Sequence, residues 1–260
     1  MTAELQKVFL VNVKNMIAEY LHILLLVLLV AFGVYYLAGG LHANERRHQG
    51  WVYALKSEAV STDVKKAFRK YPDKERFIMF WLQVNRLKTV VPEGAFAELG
   101  VYRGDSARVL HTLDPSRTLY LFDTYAGFDA ADLKGEEGEA STYTPASFAD
   151  TNVSLVAERL GNTDKVKIIE GNFSHTKHNV ENERFALINL DADLARPTAE
   201  ALKFFYERLL PGGVIIVHDY NPKWPGLMEA VDDFLASVPE EGVAIPDRDC
   251  SLVIVKNKRL

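Results

Sequence analysis

Three carboxylates and one imidazole stand in two short clusters, Asp191-Ala192-Asp193 and His218-Asp219-Tyr220, each at the end of an apolar run (Phe185 to Leu190 and Gly213 to His218). Carboxylate oxygens suit a hard divalent cation such as magnesium, and an imidazole moves the preference toward transition metals. Bringing several like charges together away from water is costly without a cation or a proton to offset them. Asp191 therefore reads as a metal ligand or general base and Asp219 as a ligand. His218 reads as a ligand, as the base of a metal-free site, or as a satisfied strand-end histidine. Any one of the aspartates alone also reads as a helix cap.

A second group lies upstream. The stretch Glu98-Leu99-Gly100-Val101-Tyr102-Arg103-Gly104-Asp105-Ser106 is a glycine-containing turn opening a helix, where backbone N–H groups can face a carboxylate or phosphate. The spacing Gly100-x-x-x-Gly104 is not the dinucleotide fingerprint G-x-G-x-x-G. Asp123 follows at the end of the next apolar run, where an acidic side chain can accept both hydroxyls of a ribose. Together they point to a nucleoside-containing cofactor; the plainer reading is a tight turn at Gly104 and a helix cap at Asp123.

These residues need a scaffold that brings strand ends together. Short apolar runs at Ala95–Leu99, Leu119–Phe122, Val166–Glu170, Phe185–Leu190, Gly213–His218 and Ser251–Lys256 alternate with helical stretches at Ser106–Leu113, Asn152–Leu160, Thr198–Leu210 and Leu227–Ala236. This alternation predicts an α/β fold with a doubly wound, mainly parallel sheet covered on both faces. In such sheets ligands collect beyond the C-terminal strand ends. Upstream, Asp73 is a plausible N-cap for a helix carrying Phe77, Phe80, Trp81, Val84 and Leu87.

The segment from about Phe77 to Phe234 resembles the S-adenosylmethionine-dependent sugar O-methyltransferases of the macrocin, mycinamicin and novobiocin type. The matching stretches are Phe96–Gly104, Phe122–Phe128, Phe148–Thr151, Leu190–Leu194, and Pro211–Ile216 with Asp219-Tyr220. The resemblance implies a class I methyltransferase fold with a seven-stranded, Rossmann-like sheet. It implies S-adenosyl-L-methionine as cofactor, its methionine end held by Glu98, Gly100, Tyr102, Arg103, Gly104 and Ser106, its ribose by Asp123, and its adenine near Gly171 and Asn172. It also implies a divalent metal, magnesium in the family, at Asp191 and an adjacent aspartate pair. Here that pair reads His218-Asp219, and Ala195 stands where the family carries a tyrosine, which is what a catalytically inactive binding protein of the same fold would also show. A nicotinamide-dependent sugar oxidoreductase is the other alternative; the Gly100–Gly104 spacing and the lack of a visible Tyr-x-x-x-Lys pair count against it.

The expected acceptor is a hydroxyl of a small molecule or glycoside. Ala126 to Asp150 is acidic, aperiodic and long, which suggests a lid, and Asn221–Gly226 with Trp224 is placed to line the acceptor pocket. His175 and His178 are assigned no role. With 30 Lys+Arg against 35 Asp+Glu there is no polycationic footprint for nucleic acid, and the single Cys250 excludes an intrachain disulfide framework. A second copy of the chain is left open as a partner.

Tyr20 to Leu41 carries no formal charge and one histidine, against the ~20 apolar residues a helix needs to cross a bilayer. A buried core helix and a cleaved signal are the competing readings. The expected organisation is a polar segment over 1–19, a transmembrane helix over 20–41, a juxtamembrane connector over 42–72 and the methyltransferase domain over 73–260. Lys7 and Lys14 precede the span, and Arg46, Arg47 and Lys56 follow it. This bias leans toward a single-pass protein whose catalytic domain faces the cytoplasm, where S-adenosylmethionine is made and used.

Overall fold

The computed structural model describes residues 3–258. The chain divides into two compact units, Met1–Ala59 and Val60–Leu260. The first contains helices α1 (Ala3–Arg47) and α2 (Gln49–Lys56). Within α1 the stretch Asn12–Ala38 is long and apolar enough to cross a membrane, and none of it is buried. It begins eight residues before the expected start at Tyr20, because Asn12 to Glu19 carries only two charges and continues the helix. At 1.5 Å per residue it measures about 40 Å, against a hydrocarbon core of ~30 Å. Among the cationic flanks Lys14 is exposed; the side chains of Lys7, Arg46 and Arg47 lie outside the described residues.

The second unit begins with α3 (Thr62–Lys70), within the segment expected to be a connector. Ser61 caps it by accepting from the Val64 N–H, and Val64 and Ala67 are buried. Helix α4 (Lys74–Val90) starts where Asp73 Oδ1 accepts the Arg76 N–H at 3.0 Å, and Phe77, Phe80, Val84 and Leu87 are buried along it. There follow β1 (Ala95–Leu99), α5 (Asp105–Leu113), β2 (Leu119–Asp123), α6 (Val153–Arg159), β3 (Val166–Glu170), α7 (Phe173–Thr176), β4 (Phe185–Leu190), α8 (Ala195–Arg208), β5 (Leu209–Val217), α9 (Pro225–Ala236), β6 (Gly242–Ile245) and β7 (Ser251–Val255).

The sheet has seven strands in the order β3-β2-β1-β4-β5-β7-β6. The first five run parallel, and β7 is antiparallel to both β5 and β6. Every residue of β1 and β4 is buried, as helices on both faces require, so these strands read as mostly apolar runs interrupted only by Glu98 and Asn189. Strand β5 starts earlier than Gly213, at Leu209, because Pro211 and Gly212 sit in a register shift opposite Phe185/Leu187 and do not end the strand. Strand order reverses between β1 and β4, so the crevice for a ligand opens at their C-terminal ends.

Candidate active site

A cavity of about 450 Å³ lies at that crevice, within the range of small-molecule sites. Gly100, Tyr102, Arg103 and Ser106 line it on one side, with Asp123, Gly171 and Asn172. Asp191, His218 and Asp219 also line it, with Arg76 and Trp224. Glu98 and Gly104 are not in the wall. Glu98 is fully buried in β1 and accepts a hydrogen bond from Ser106 Oγ, so it fixes the first turn of α5 from beneath. Its direction is set by β1, whose alternate side chains enter opposite packed faces. Burial pushes its carboxyl up to about 8, against which the Ser106 hydrogen bond acts.

The turn after β1 is built by close approach. Gly100 has φ +83°, and a Cβ there would lie 1.9 Å from the Asp191 carbonyl oxygen. Asp123 Oδ2 accepts the Val101 and Tyr102 N–H groups at 2.7 and 2.8 Å, and its Oδ1 accepts Tyr125 N–H at 2.7 Å. The carboxylate thus holds two loops together, and Oδ1 keeps a lone pair for a further donor. Gly104 (φ +77°) is the N-cap of α5 and offers no side-chain cap. The first N–H groups of α5 are therefore left for an anionic ligand group beside Ser106 and Asp105 in the wall. Both features fit the amino-acid and ribose ends of S-adenosylmethionine. Asn172 is tied down otherwise: its Oδ1 caps α7, and its Nδ2 donates to Asp132 at 2.9 Å.

Tyr102, Asp193 and Asp219 line the cavity with φ of +49°, +60° and +61°. Left-handed backbone at non-glycine residues costs on the order of 1–3 kcal/mol each and concentrates at functional sites.

The loop between β2 and α6 is docked over the crevice. Glu136 accepts the Ala195 N–H at 2.8 Å, capping α8, whose own N-cap Leu194 offers no side chain for it. Asp132 pairs with Arg196 at 3.1 Å, and Asp150 accepts from Tyr102 Oη and pairs with Arg103. Phe128 stacks on Tyr143, and Phe148 meets both edge-on. Trp224 is buried in the wall, as its place after β5 suggested. His175 and His178 are exposed.

At the far end, His218 Nδ1 lies 3.0 Å from Asp191 Oδ1 and 3.1 Å from Asp219 Oδ1. Arg76 was not singled out in the sequence; its Nη2 reaches Asp191 Oδ2 at 2.9 Å from the first turn of α4. Burial acts to raise the Asp191 pKa, but the charges of His218 and Arg76 outweigh it and hold the carboxyl well below its usual range. Burial acts to lower His218, and the Asp191 charge overrides it, lifting the imidazole to about 10. Asp193 is pushed well up by burial and by the charges of Asp191 and Asp219.

Residues 74–241 match the model of the macrocin-O-methyltransferase (TylF) family. The chain belongs to that family. Among relatives of this chain is 8-demethyl-8-(2,3-dimethoxy-alpha-L-rhamnosyl)-tetracenomycin-C 4'-O-methyltransferase of Streptomyces olivaceus. It is 29% identical over 148 residues, covering 52% of this chain and 57% of the relative. The mycinamicin III 3''-O-methyltransferase of Micromonospora griseorubida is 30% identical over 161 residues, 57% and 62% of the two chains. The chain spans about three fifths of the length of these curated relatives. The O-methyltransferase NovP is similar in structure, with a TM-score of 0.61 at 22% identity over 71% of this chain and 81% of its own. The calicheamicin methyltransferase CalS11 gives 0.50 at 21% identity over 69% and 78%. The sheet of this family member is that of the class I methyltransferases.

The metal expected in this family was tested against the donors present. Asp191, His218 and Asp219 each offer one ligand atom, all within 4.8 Å of one another. The permanent positive charge of Arg76 beside them works against a resident divalent ion. One Asp191 oxygen is held by a guanidinium, and the other lies 3.0 Å, with an Asp219 oxygen at 3.1 Å, from His218 Nδ1, a buried nitrogen with no well-aligned hydrogen bond of its own. Arg76 thus brings a positive charge to the cluster from within the chain.

Proposed function

We propose that this chain is an S-adenosylmethionine-dependent O-methyltransferase that methylates a hydroxyl of a sugar or glycosylated small molecule. The observation that carries the reading is the cavity at the β1/β4 switch. It sets an uncapped helix end and the Asp123 carboxylate at one side, and a charged Asp191–His218–Asp219–Arg76 cluster at the other. The printed names of the relatives, one a methyltransferase of a rhamnosyl-substituted tetracenomycin, support a sugar hydroxyl as acceptor.

S-adenosylmethionine supplies an activated methyl group on a sulfonium. The chain's own part is to place the acceptor oxygen in line with it, exclude water and take the hydroxyl proton. The loop docked through Glu136 and Asp150 closes the crevice. His218 faces Asp191 and Asp219 through Nδ1, which leaves Nε2 as the nitrogen that takes the acceptor proton when the imidazole is in its neutral form, a form that gains population as pH rises toward 10. The neighbouring carboxylates stabilise the imidazolium that results. General-base help of this kind is worth about 10² to 10⁴ in rate.

The apolar Asn12–Ala38 stretch supports a single-pass anchor with the catalytic unit on the cytoplasmic side, where the cofactor is available. Incubation of the full chain in detergent with S-adenosylmethionine and a panel of rhamnosides tests the activity, reading release of S-adenosylhomocysteine and gain of one methyl by mass spectrometry. Methylated product with wild type and its loss in His218→Asn are expected. Cofactor binding with no methyl gain across acceptors from intact membranes would identify a binding protein instead.

A further inference from the structure

Arg76 lines the cavity beside Asp191. It sits in the first turn of α4, outside the strand ends that supply the other polar groups, and its side chain is 7% exposed. Its guanidinium lies over the Phe80 ring at 5.4 Å and reaches Asp191 Oδ2 at 2.9 Å and Asn189 Oδ1 at 3.5 Å. The Asp73 cap and the buried Phe77 and Phe80 on either side of it fix the turn from which it projects. A guanidinium cannot lose its proton in a protein, so this charge is permanent.

We infer that Arg76 is the resident cation of the acceptor end, standing with His218 where a divalent ion would otherwise sit, so that the transfer proceeds without a metal. The inference rests on the methyltransferase reading above. It follows from charge and geometry together. A divalent ion at the Asp191–His218–Asp219 donors would sit one carboxylate away from a buried, permanent positive charge that already neutralises Asp191 through its other oxygen. The other carboxylate whose charge reaches Arg76, Glu98, is buried and pushed up to about 8, so it does not take the place of Asp191 as a charged partner. Its role is that of a positioning residue: it holds the Asp191 carboxylate ionised and aimed, and Asp191 in turn orients His218.

The test is manganese(II) binding to the full-length chain in detergent, read by electron paramagnetic resonance, with S-adenosylhomocysteine binding measured on the same samples. Wild type is expected to show no saturable manganese site up to about 1 mM, although carboxylate and imidazole donors suit this ion. Arg76→Met frees one Asp191 oxygen and is expected to gain a site at least tenfold tighter, lost again when Asp191→Asn is added. Arg76→Lys, which keeps the charge, is expected to stay as free of manganese as wild type. A saturable wild-type site abolished by Asp191→Asn would overturn the inference, as would an Arg76→Met protein that binds S-adenosylhomocysteine normally yet gains no manganese. Should Arg76→Met fail to fold, the wild-type and Arg76→Lys titrations decide alone. Failure to bind S-adenosylhomocysteine in wild type refutes the methyltransferase reading and leaves the manganese result a separate observation.

Discussion

Two glycines with the same backbone conformation should respond very differently to alanine. Gly100 and Gly135 both have φ +83°, but a Cβ on Gly135 meets nothing within 4 Å, whereas on Gly100 it would lie 1.9 Å from the Asp191 carbonyl oxygen and 2.6 Å from its carbon. Both substitutions carry the left-handed penalty, roughly 1–2 kcal/mol. Gly100→Ala must in addition push the end of β1 and the end of β4 apart by more than 1 Å to reach even 3.0 Å, the separation real Cβ contacts respect. Leu99 and Leu190 are buried beside that contact, and the main chain is paired there through Asp191 N–H to Leu99 O at 2.9 Å, so the movement breaks a ladder bond. Overpacking costs typically 1–3 kcal/mol and a lost backbone bond about 1 more, bringing Gly100→Ala to roughly 3–6 kcal/mol. For a unit of this size that corresponds to a fall in Tm of about 6–24 °C, against about 2–8 °C for Gly135→Ala. Differential scanning calorimetry of the two variants, followed by S-adenosylhomocysteine titration, reads both consequences. The account also expects Gly100→Ala to lose ligand affinity, because the same shift displaces the Val101–Arg103 turn and Asp191 together. Equal melting temperatures for the two variants would refute the reasoning.

Asp123→Ala removes the acceptor of three backbone N–H groups and the ribose partner at once. A stability loss of about 2–4 kcal/mol and a fall in S-adenosylhomocysteine affinity of at least 10²-fold are expected from charge-assisted bonds of this kind, read by denaturant melts and calorimetry. Glu98 has a different signature, because its folded-state pKa of about 8 lies above its unfolded value of 4.5. The folded state then binds more protons than the unfolded one between those values, so this group makes stability fall as pH rises from 5 toward 8. Glu98→Gln keeps an acceptor for Ser106 and removes the titration, so its stability relative to wild type should improve by on the order of 2 kcal/mol from pH 5 to pH 7. A pH-independent difference would show that Glu98 is not held neutral.

The strands that carry the site were legible because buried parallel strands are short, mostly apolar runs, and because chemistry in such sheets follows the strand ends. Strand β6, only Gly242–Ile245 and with Val243 and Ala244 exposed, offers neither a run nor an alternation, and it pairs only with β7. Helix α3 lies in the stretch that reads as a connector with helical content; its four cations leave a buried side of only Val64 and Ala67, too narrow to distinguish a packed helix from a solvated one. Burial on both faces of β1 removed the period that would have shown Glu98 pointing into packing and away from the cavity. Arg76 escaped because a lone cation next to Phe77 reads as the solvent side of an amphipathic helix, and nothing local signals that it meets Asp191 115 positions away. A question about what neutralises Asp191 could have found it.

The most direct test of the central claim is a calorimetric titration of the full-length chain in detergent with S-adenosylhomocysteine and, separately, with NAD. The account predicts one saturable S-adenosylhomocysteine site, lost in Asp123→Ala, and no heat of binding with NAD. Saturable binding of NAD with none of S-adenosylhomocysteine would contradict it.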